Sequence, residues 1–191
     1  RQRQMCIRDS VDTLFGKYNP SGKLPMSFPY CVGQVPVHYN EYSTGRPHVE
    51  GKDKDRFRSK YLDIPNEPLY PFGYGLSYTT FEVSDIHLDR TWMDTSGQIE
   101  AEVTVKNTGK IYAGKEVVQV YYSAAGGVME KPYQELAVYQ KTKLLAPGET
   151  EEIVLKYQAE QMASYSEKEA AWILEKGDYI IPVSYTHLRA H

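Results

Sequence analysis

The densest set of groups able to hold a ligand lies between Tyr42 and Tyr61. There Tyr42, Arg46, His48, Arg56, Arg58 and Tyr61 place guanidinium and imidazole donors beside flat rings. Such a mixture suits sugar hydroxyls and the apolar faces of sugar rings. The same stretch carries Lys52, Asp53, Lys54, Asp55, Arg56 and Arg58, whose signs neutralise one another, and charge runs of this kind are usually solvated. The solvated-loop reading outweighs the sugar-site reading. Pro71-Phe72-Gly73-Tyr74-Gly75 holds a Gly-x-Gly, yet no strand clearly precedes it and no third glycine opens a helix, so it does not read as a phosphate cradle. Its better reading is structural: Gly73 and Gly75 free the backbone while Phe72, Tyr74 and Tyr78 wedge between domains. His38, His48 and His87 lack ligand spacing, as do Cys6 and Cys31, and no Ser/His/Asp set is visible. No metal or cofactor is expected.

What must position these groups is bounded by composition. The 191 residues carry 22 Lys and Arg against 25 Asp and Glu, for a net charge of −3, so no chain-wide positive field favours nucleic acid. No run of about 18 apolar residues is present to span a bilayer as a helix, and no membrane partner is expected. Seventeen Tyr against 5 Phe and 2 Trp point to many half-buried positions where a ring is covered and its hydroxyl stays wet.

From Gln98 the residues alternate: Ile99, Ala101, Val103 and Val105 on one side, Glu100, Glu102, Thr104 and Lys106 on the other. Asn107-Thr108-Gly109-Lys110 reads as the turn that ends this strand. Strands are expected over 80–88, 117–122, 135–145, 149–157, 171–174 and 179–181, with a helical turn at 159–163. About seven short strands with turn signals every 8 to 12 residues describe an immunoglobulin-like β-sandwich. Upstream, Val11 to Gly16 reads as the end of a helix closed by glycine, and Leu24 to Phe28 and Gln34 to Tyr39 as short strands. One helix and two strands bury too little to fold alone.

Five segments follow. Residues 1–10 and 182–191 do not continue the texture of their neighbours, resemble translated sequencing-adaptor strings and are set aside as non-native; Pro182 is expected to cut the last strand. Residues 11–41 are the stub, 42–79 a long irregular linker, and 80–181 the sandwich. Tyr42, Tyr61, Tyr70, Tyr74 and Tyr78 concentrate in the linker, where they are expected to lie unusually exposed if partner domains are missing.

The runs LFGKYNPSGKLPMSFP, GQVPVHYNEYSTGRP, KYLDIPNEPLYPFGYGLSYTTF, VKNTGKIYAGKEVVQVYYS and LLAPGETEEIVLKY, in this order, resemble the C-terminal third of glycoside hydrolase family 3, the β-glucosidases and β-xylosidases. The resemblance implies a mainly β chain: a fibronectin type III-like sandwich preceded by a remnant of an α/β sandwich domain and a long irregular linker. It implies that the intact parent is a retaining glycosidase acting on a β-glucoside or related oligosaccharide, with its nucleophile in a Ser-Asp-Trp-like motif on a barrel absent from this sequence. Here Ser84-Asp85 is followed by Ile86, so Asp85 is not taken as catalytic, and Glu41, Glu50 and Glu67 are not taken as the acid/base. The expected partners are the barrel and α/β domains. Tyr42, Arg46, Arg58 and Tyr61 are the substrate-contact candidates for the intact parent, and Phe72, Tyr74 and Tyr78 the interdomain wedge. The rival reading is a free-standing carbohydrate-binding or adhesion module.

Overall fold

The computed structural model describes residues 2–47, 57–124 and 126–184, with side chains from Ile7 onward. Strands β1 (Phe81–Leu88), β2 (Gln98–Asn107) and β5 (Thr150–Gln158) form one antiparallel sheet in the order β1-β2-β5. Strands β3 (Val117–Ala124), β4 (Glu135–Lys141) and β8 (Tyr179–Ile180) form the second, in the order β4-β3-β8. The alternation read in the sequence is what joins them. Val103 stands opposite Ile153 and Ala101 opposite Leu155, so both strands turn their apolar sets inward, onto Val118, Val120, Tyr122 and Leu145. A one-residue slip would send each of these side chains to solvent, which fixes the register. Burial raises the pKa of the Tyr122 and Tyr157 phenols, and both stay neutral in the core.

The sandwich has two distinct ends. At the near pole, β2 finishes at Asn107, whose N–H donates to Glu149 O at 3.0 Å, and Gly114 pairs with Leu145. At the far pole, Gln98 faces Gln158 and the Ala159 N–H donates to Gly97 O at 2.9 Å. The helical turn expected at 159–163 is a 3-10 turn over Ala159–Met162, which caps the core there and buries Ala159 and Met162. Beyond it β6 (Ser164–Ser166) and β7 (Ala171–Ile173) form a separate two-stranded ribbon.

Several expectations are corrected. The segment 34–39 is not a strand: Val32–Gln34 is a 3-10 turn, and Pro36, which follows a cis peptide, has no N–H to give a ladder. Leu24 to Phe28 makes only isolated pairings, Phe28 with Tyr70 and Leu24 with Tyr74 and Gly73, because Pro25 and Pro29 remove donors. Strand β4 stops at Lys141 rather than Leu145, since Thr142 and Leu145 turn to Glu116 and Gly114. Strand β6 carries polar Ser164 and Ser166 and gives no apolar signal. Pairing also continues past Pro182: its carbonyl accepts from the Tyr121 N–H at 2.8 Å, Val183 bridges Val120, and Val183 and Ser184 are buried. Helix α1 (Gln2–Leu14) runs back well before Val11, and Gly16 closes it at φ 75° with its N–H on Thr13 O at 3.0 Å.

At the far pole Glu175 holds the loop after β3. Its carboxylate pairs with Lys131 Nζ at 2.7 Å and accepts the Val128 N–H at 2.8 Å. The Lys131 hydrogen bond, helped by those amides, keeps the carboxyl below its ordinary value of 4.5. A depressed folded pKa means that the stabilisation is complete above the unfolded value and is lost as pH falls through the folded one. Amide exchange of Val128 and Met129 is therefore expected to quicken relative to the core only below pH 4.5, and Glu175→Gln should abolish that pH step. A step unchanged in the variant would assign it elsewhere.

Candidate functional site

The linker and the N-terminal stub fold together as a clamp on the near pole and on the outer face of β3 and β4. Gln34 is 1% exposed and stitches the two: its side-chain amide donates to Pro65, Asn66 and Glu67 carbonyls at 3.2, 3.2 and 3.1 Å, while its oxygen accepts the Tyr30 N–H at 2.8 Å. Asn19 does the same toward the sandwich, donating to Ala113 O at 3.0 Å and accepting from Ser77 Oγ and the Tyr78 N–H at 2.9 and 2.8 Å. Lys23 Nζ reaches Glu116 at 2.8 Å in a largely buried pair.

Aromatic rings close the seam. Phe72 stacks on Tyr39 with centroids 4.2 Å apart at 17°, and Tyr39 meets Tyr121 of β3 edge-on at 6.1 Å. The Leu136 N–H of β4 donates to the Tyr39 hydroxyl at 3.2 Å. Gly73, at φ 79°, lets the chain pass so close to Gln119 that a Cβ there would lie 2.6 Å from its Oε1. Tyr74 packs on Tyr70 at 5.1 Å and its carbonyl accepts the Leu24 N–H at 2.8 Å. Tyr78 donates its hydroxyl to Thr13 O at 2.9 Å and lies against Tyr112. Phe72, Tyr74 and Tyr78 thus all contact the clamp or its seam with the sandwich. The shallow cleft between Ser27, His38, Tyr39, Phe72, Tyr121 and Gln134 holds about 230 Å³, and an adjoining one that reaches Met26, Pro36 and Asn40 holds about 380 Å³, at the low end of the roughly 300–1,000 Å³ of ordinary ligand pockets.

Of the four substrate-contact candidates, Arg46 and Arg58 come together: the Ser59 N–H donates to Arg46 O at 2.8 Å, and Arg58 Nη1 donates to Pro47 O at 3.0 Å. The Arg46 guanidinium sits 6.0 Å from the centre of the Phe57 ring. Tyr61 lies further back, its N–H on Asn66 Oδ1 at 3.0 Å and its hydroxyl 3.5 Å from Gln34 O, and Tyr42 is 59% exposed. His48, Glu50 and the run Lys52 to Arg56 lie outside the described residues. Tyr42, Tyr61, Tyr70 and Tyr78 are exposed, whereas Tyr74 is half-buried. Asp85 stands at φ 51° in a bulge of edge strand β1, its carboxylate accepting from Ser84 Oγ at 3.1 Å. Bulges of this kind keep an edge from pairing with other chains. No cluster of three or more His, Cys, Asp or Glu side chains able to hold a metal occurs among the described residues.

Sequence reasoning missed Gln34, Asn19, Tyr39 and Asn107. Asn107 had a legible signal, because it continues the inward series of Ile99 to Val105. Gln34 had none, since the carbonyls its amide donates to lie 31 to 33 residues away.

A fibronectin-like sandwich clamped by an irregular linker and a helical stub is the class of structure these observations define. The chain matches the Fibronectin type III-like domain over residues 116–185 and the Glycosyl hydrolase family 3 C-terminal domain over residues 7–78. It belongs to glycosyl hydrolase family 3, in the C-terminal region of that family. It is similar to a periplasmic beta-glucosidase of Salmonella typhimurium, 50% identical over 139 residues, covering 73% of this chain and 18% of the relative. It also resembles a putative beta-xylosidase of Formosa agariphila, 38% identical, covering 89% of this chain and 21% of that one. The beta-glucosidase of Listeria innocua, solved in complex with gluconolactone, superposes with a TM-score of 0.84 at 40% identity over 92% of this chain and 24% of its own. The chain therefore spans about a fifth of the length of these curated relatives.

Proposed function

We propose that this chain is the non-catalytic C-terminal portion of a retaining β-glucosidase, and that its sandwich braces catalytic domains contributed by the rest of the enzyme. The observation that carries this reading is the exposed apolar side of the stub. Leu14, Phe15, Val32 and Met26 are 76%, 85%, 88% and 62% exposed, while Asn19 and Lys23 of the same stub are tied to the sandwich. A free-standing module has no reason to keep such a surface, whereas a larger α/β domain would cover it. In this reading residues 11–41 finish that domain, 42–79 link it and 80–181 form the brace; residues 1–10 and 182–191 are the segments set apart by texture.

A retaining glycosidase works through two carboxyl groups about 5–5.5 Å apart, one attacking the anomeric carbon and one protonating the leaving oxygen. The chain supplies position to that pair rather than either member. Phe72, Tyr74 and Tyr78 hold the linker in place, and Tyr42, Arg46, Arg58 and Tyr61 border the mouth where a β-glucoside or related oligosaccharide enters. The 191-residue chain alone is expected to show no turnover of an aryl β-glucoside, with Asp85→Asn changing nothing. Turnover that survives purification and vanishes in that variant would overturn the reading. In the whole enzyme, Arg46→Ala and Tyr61→Ala should raise KM several-fold, and unchanged kinetics on several glucosides would take the loop away from the mouth.

A further inference from the structure

Single apolar side chains on a surface are ordinary, whereas several gathered around one point mark a contact. The near pole carries such a set, and it straddles two segments far apart in sequence. Residues 13–19 of the stub and the loop between β2 and β3 are pinned together three times over. The Asn19 amide donates to Ala113 O at 3.0 Å. Gly16 passes so close to Tyr112 that a Cβ there would stand 3.2 Å from its hydroxyl. Tyr78 lies against the Tyr112 ring at 5.7 Å while its own hydroxyl donates to Thr13 O at 2.9 Å. Leu14, Phe15 and Tyr18 flank Gly16 on one segment, and Ile111 precedes Tyr112 on the other. All four are exposed, Ile111 at 80% and Tyr18 at 59%. Stub and sandwich therefore present one apolar patch, whose two halves cannot part without breaking the contacts beneath it.

Charge lies around this patch rather than in it. Asp12 pairs with Lys17 Nζ at 3.2 Å and with the Arg8 guanidinium at 3.9 Å, Lys17 stands 5.9 Å from the centre of the Tyr18 ring, and Lys110 adjoins Ile111. An apolar centre inside a charged rim is the composition of a contact between folded protein surfaces. The chain spans about a fifth of the length of its curated relatives, so most of an enzyme of that kind lies outside it. Helix α1 is 13 residues long, about 20 Å at 1.5 Å per residue, and ends at Leu14. Polypeptide joined upstream of α1 thus begins within reach of the patch. Covalent attachment gives it a high effective concentration there, which a second copy has to match from solution.

We propose that Leu14, Phe15, Tyr18 and Ile111 form one docking patch for the upstream domain of the same polypeptide, so that this domain seats directly on the β2–β3 loop of the sandwich as well as on the stub. The occupant rests on the reading of the chain as the C-terminal portion of a longer β-glucosidase; the union of Ile111 with the stub rests on the chain's own contacts. A single attachment lets the sandwich swing about it. A second one, across the seam, stops that motion and gives the brace its stiffness.

The test compares this chain with the whole enzyme, in which the upstream polypeptide is rejoined to it, by hydroxyl-radical oxidation of side chains read residue by residue. Phe15, Tyr18 and Ile111 should oxidise readily in the chain alone. In the whole enzyme all three should lose most of that reactivity, with Ile111 falling toward the level of Val103, which is 0% exposed. Ile111→Asp should leave the thermal midpoint of the chain alone unchanged, because the side chain is exposed, and lower that of the whole enzyme by about 2–4 °C. Ile111→Val should keep the wild-type midpoint in both. Ile111 equally reactive in chain and enzyme would overturn the patch, even with Phe15 protected, since contact would then stop at the stub. So would a midpoint lowered equally in chain and enzyme by Ile111→Asp, which would place the role of Ile111 inside the sandwich. Protection that rises with the concentration of the chain alone and is lost in Ile111→Asp would make a second copy the occupant and overturn the upstream domain. Hydrolysis separates the patch from the parent reading. A whole enzyme that hydrolyses an aryl β-glucoside with Ile111 unprotected rejects the patch and keeps the parent; one with Ile111 protected but inert toward β-glucosides keeps the patch and rejects the parent.

Discussion

Replacing Asn107 by alanine is expected to destabilise the sandwich by about 3–5 kcal/mol, among the largest effects for a polar side chain. Asn107 is 0% exposed at the end of β2 and satisfies groups on three segments. Its amide donates to Tyr112 O at 3.0 Å and Leu145 O at 2.9 Å, and its oxygen accepts from Thr79 Oγ1 at 2.6 Å and the Gly109 N–H at 3.0 Å. Alanine takes this partner from the Tyr112 carbonyl, the Gly109 amide and the Thr79 hydroxyl, and leaves the Leu145 carbonyl with only the Gly114 N–H, where water enters poorly. Gly109 is part of the same knot: a Cβ there would fall inside the van der Waals radius of Thr79 Oγ1, so no larger residue can follow the asparagine at this spacing. The substitution Asn107→Asp is no rescue, because a carboxylate would face the Tyr112 and Leu145 carbonyls instead of donating to them. Urea denaturation checks this: the midpoint should fall by about 2 M with an unchanged slope. A shift under about 0.5 M would mean that Thr79 and Leu145 find other partners.

That knot also shows what is legible in a single sequence. The strands β2 and β5 could be read because period-two alternation is a local property, and Ile99 to Val105 obey it without exception. The same rule, extended one step, places Asn107 inward; its neighbours Thr108 and Gly109 draw the eye to a turn instead, and the polar core residue is lost behind the turn signal. The clamp is harder. Gln34 bonds carbonyls at 65–67, Asn19 bonds Ala113, and Tyr39 bonds Leu136, all across separations no local pattern encodes. Rings and glycines in alternation mark 71–78 as a closely packed stretch, yet the partners of Phe72, Tyr74 and Tyr78 could not be read. The β6–β7 ribbon escaped for the opposite reason: serines on β6 hide a strand whose pairing depends on β7.

The second large effect is expected at Gly75, where the linker crosses the stub at Gly22. A Cβ on this residue would overlap the carbonyl oxygen of Gly22 and crowd the Lys23 side chain, and a backbone carbonyl cannot rotate away as a side chain can. Gly75→Ala must therefore push the two segments apart, at a cost of about 2–4 kcal/mol. What is lost with the separation is specific: the Leu24 to Tyr74 and Gly73 to Leu24 hydrogen bonds, both 2.8 Å, and the geometry that lets Lys23 reach Glu116 at 2.8 Å. The sandwich core is made by other residues, so the damage should stay local. Hydrogen exchange distinguishes the two: the amides of Leu24 and Gly73 should lose protection while those of Val103 and Leu155 keep theirs, and limited proteolysis should begin cutting within residues 62–78. Uniform loss of protection in both regions would mean that clamp and sandwich unfold as one unit. In the whole enzyme the same substitution should lower thermal stability more than it lowers kcat, because a brace that loosens costs orientation before it costs chemistry.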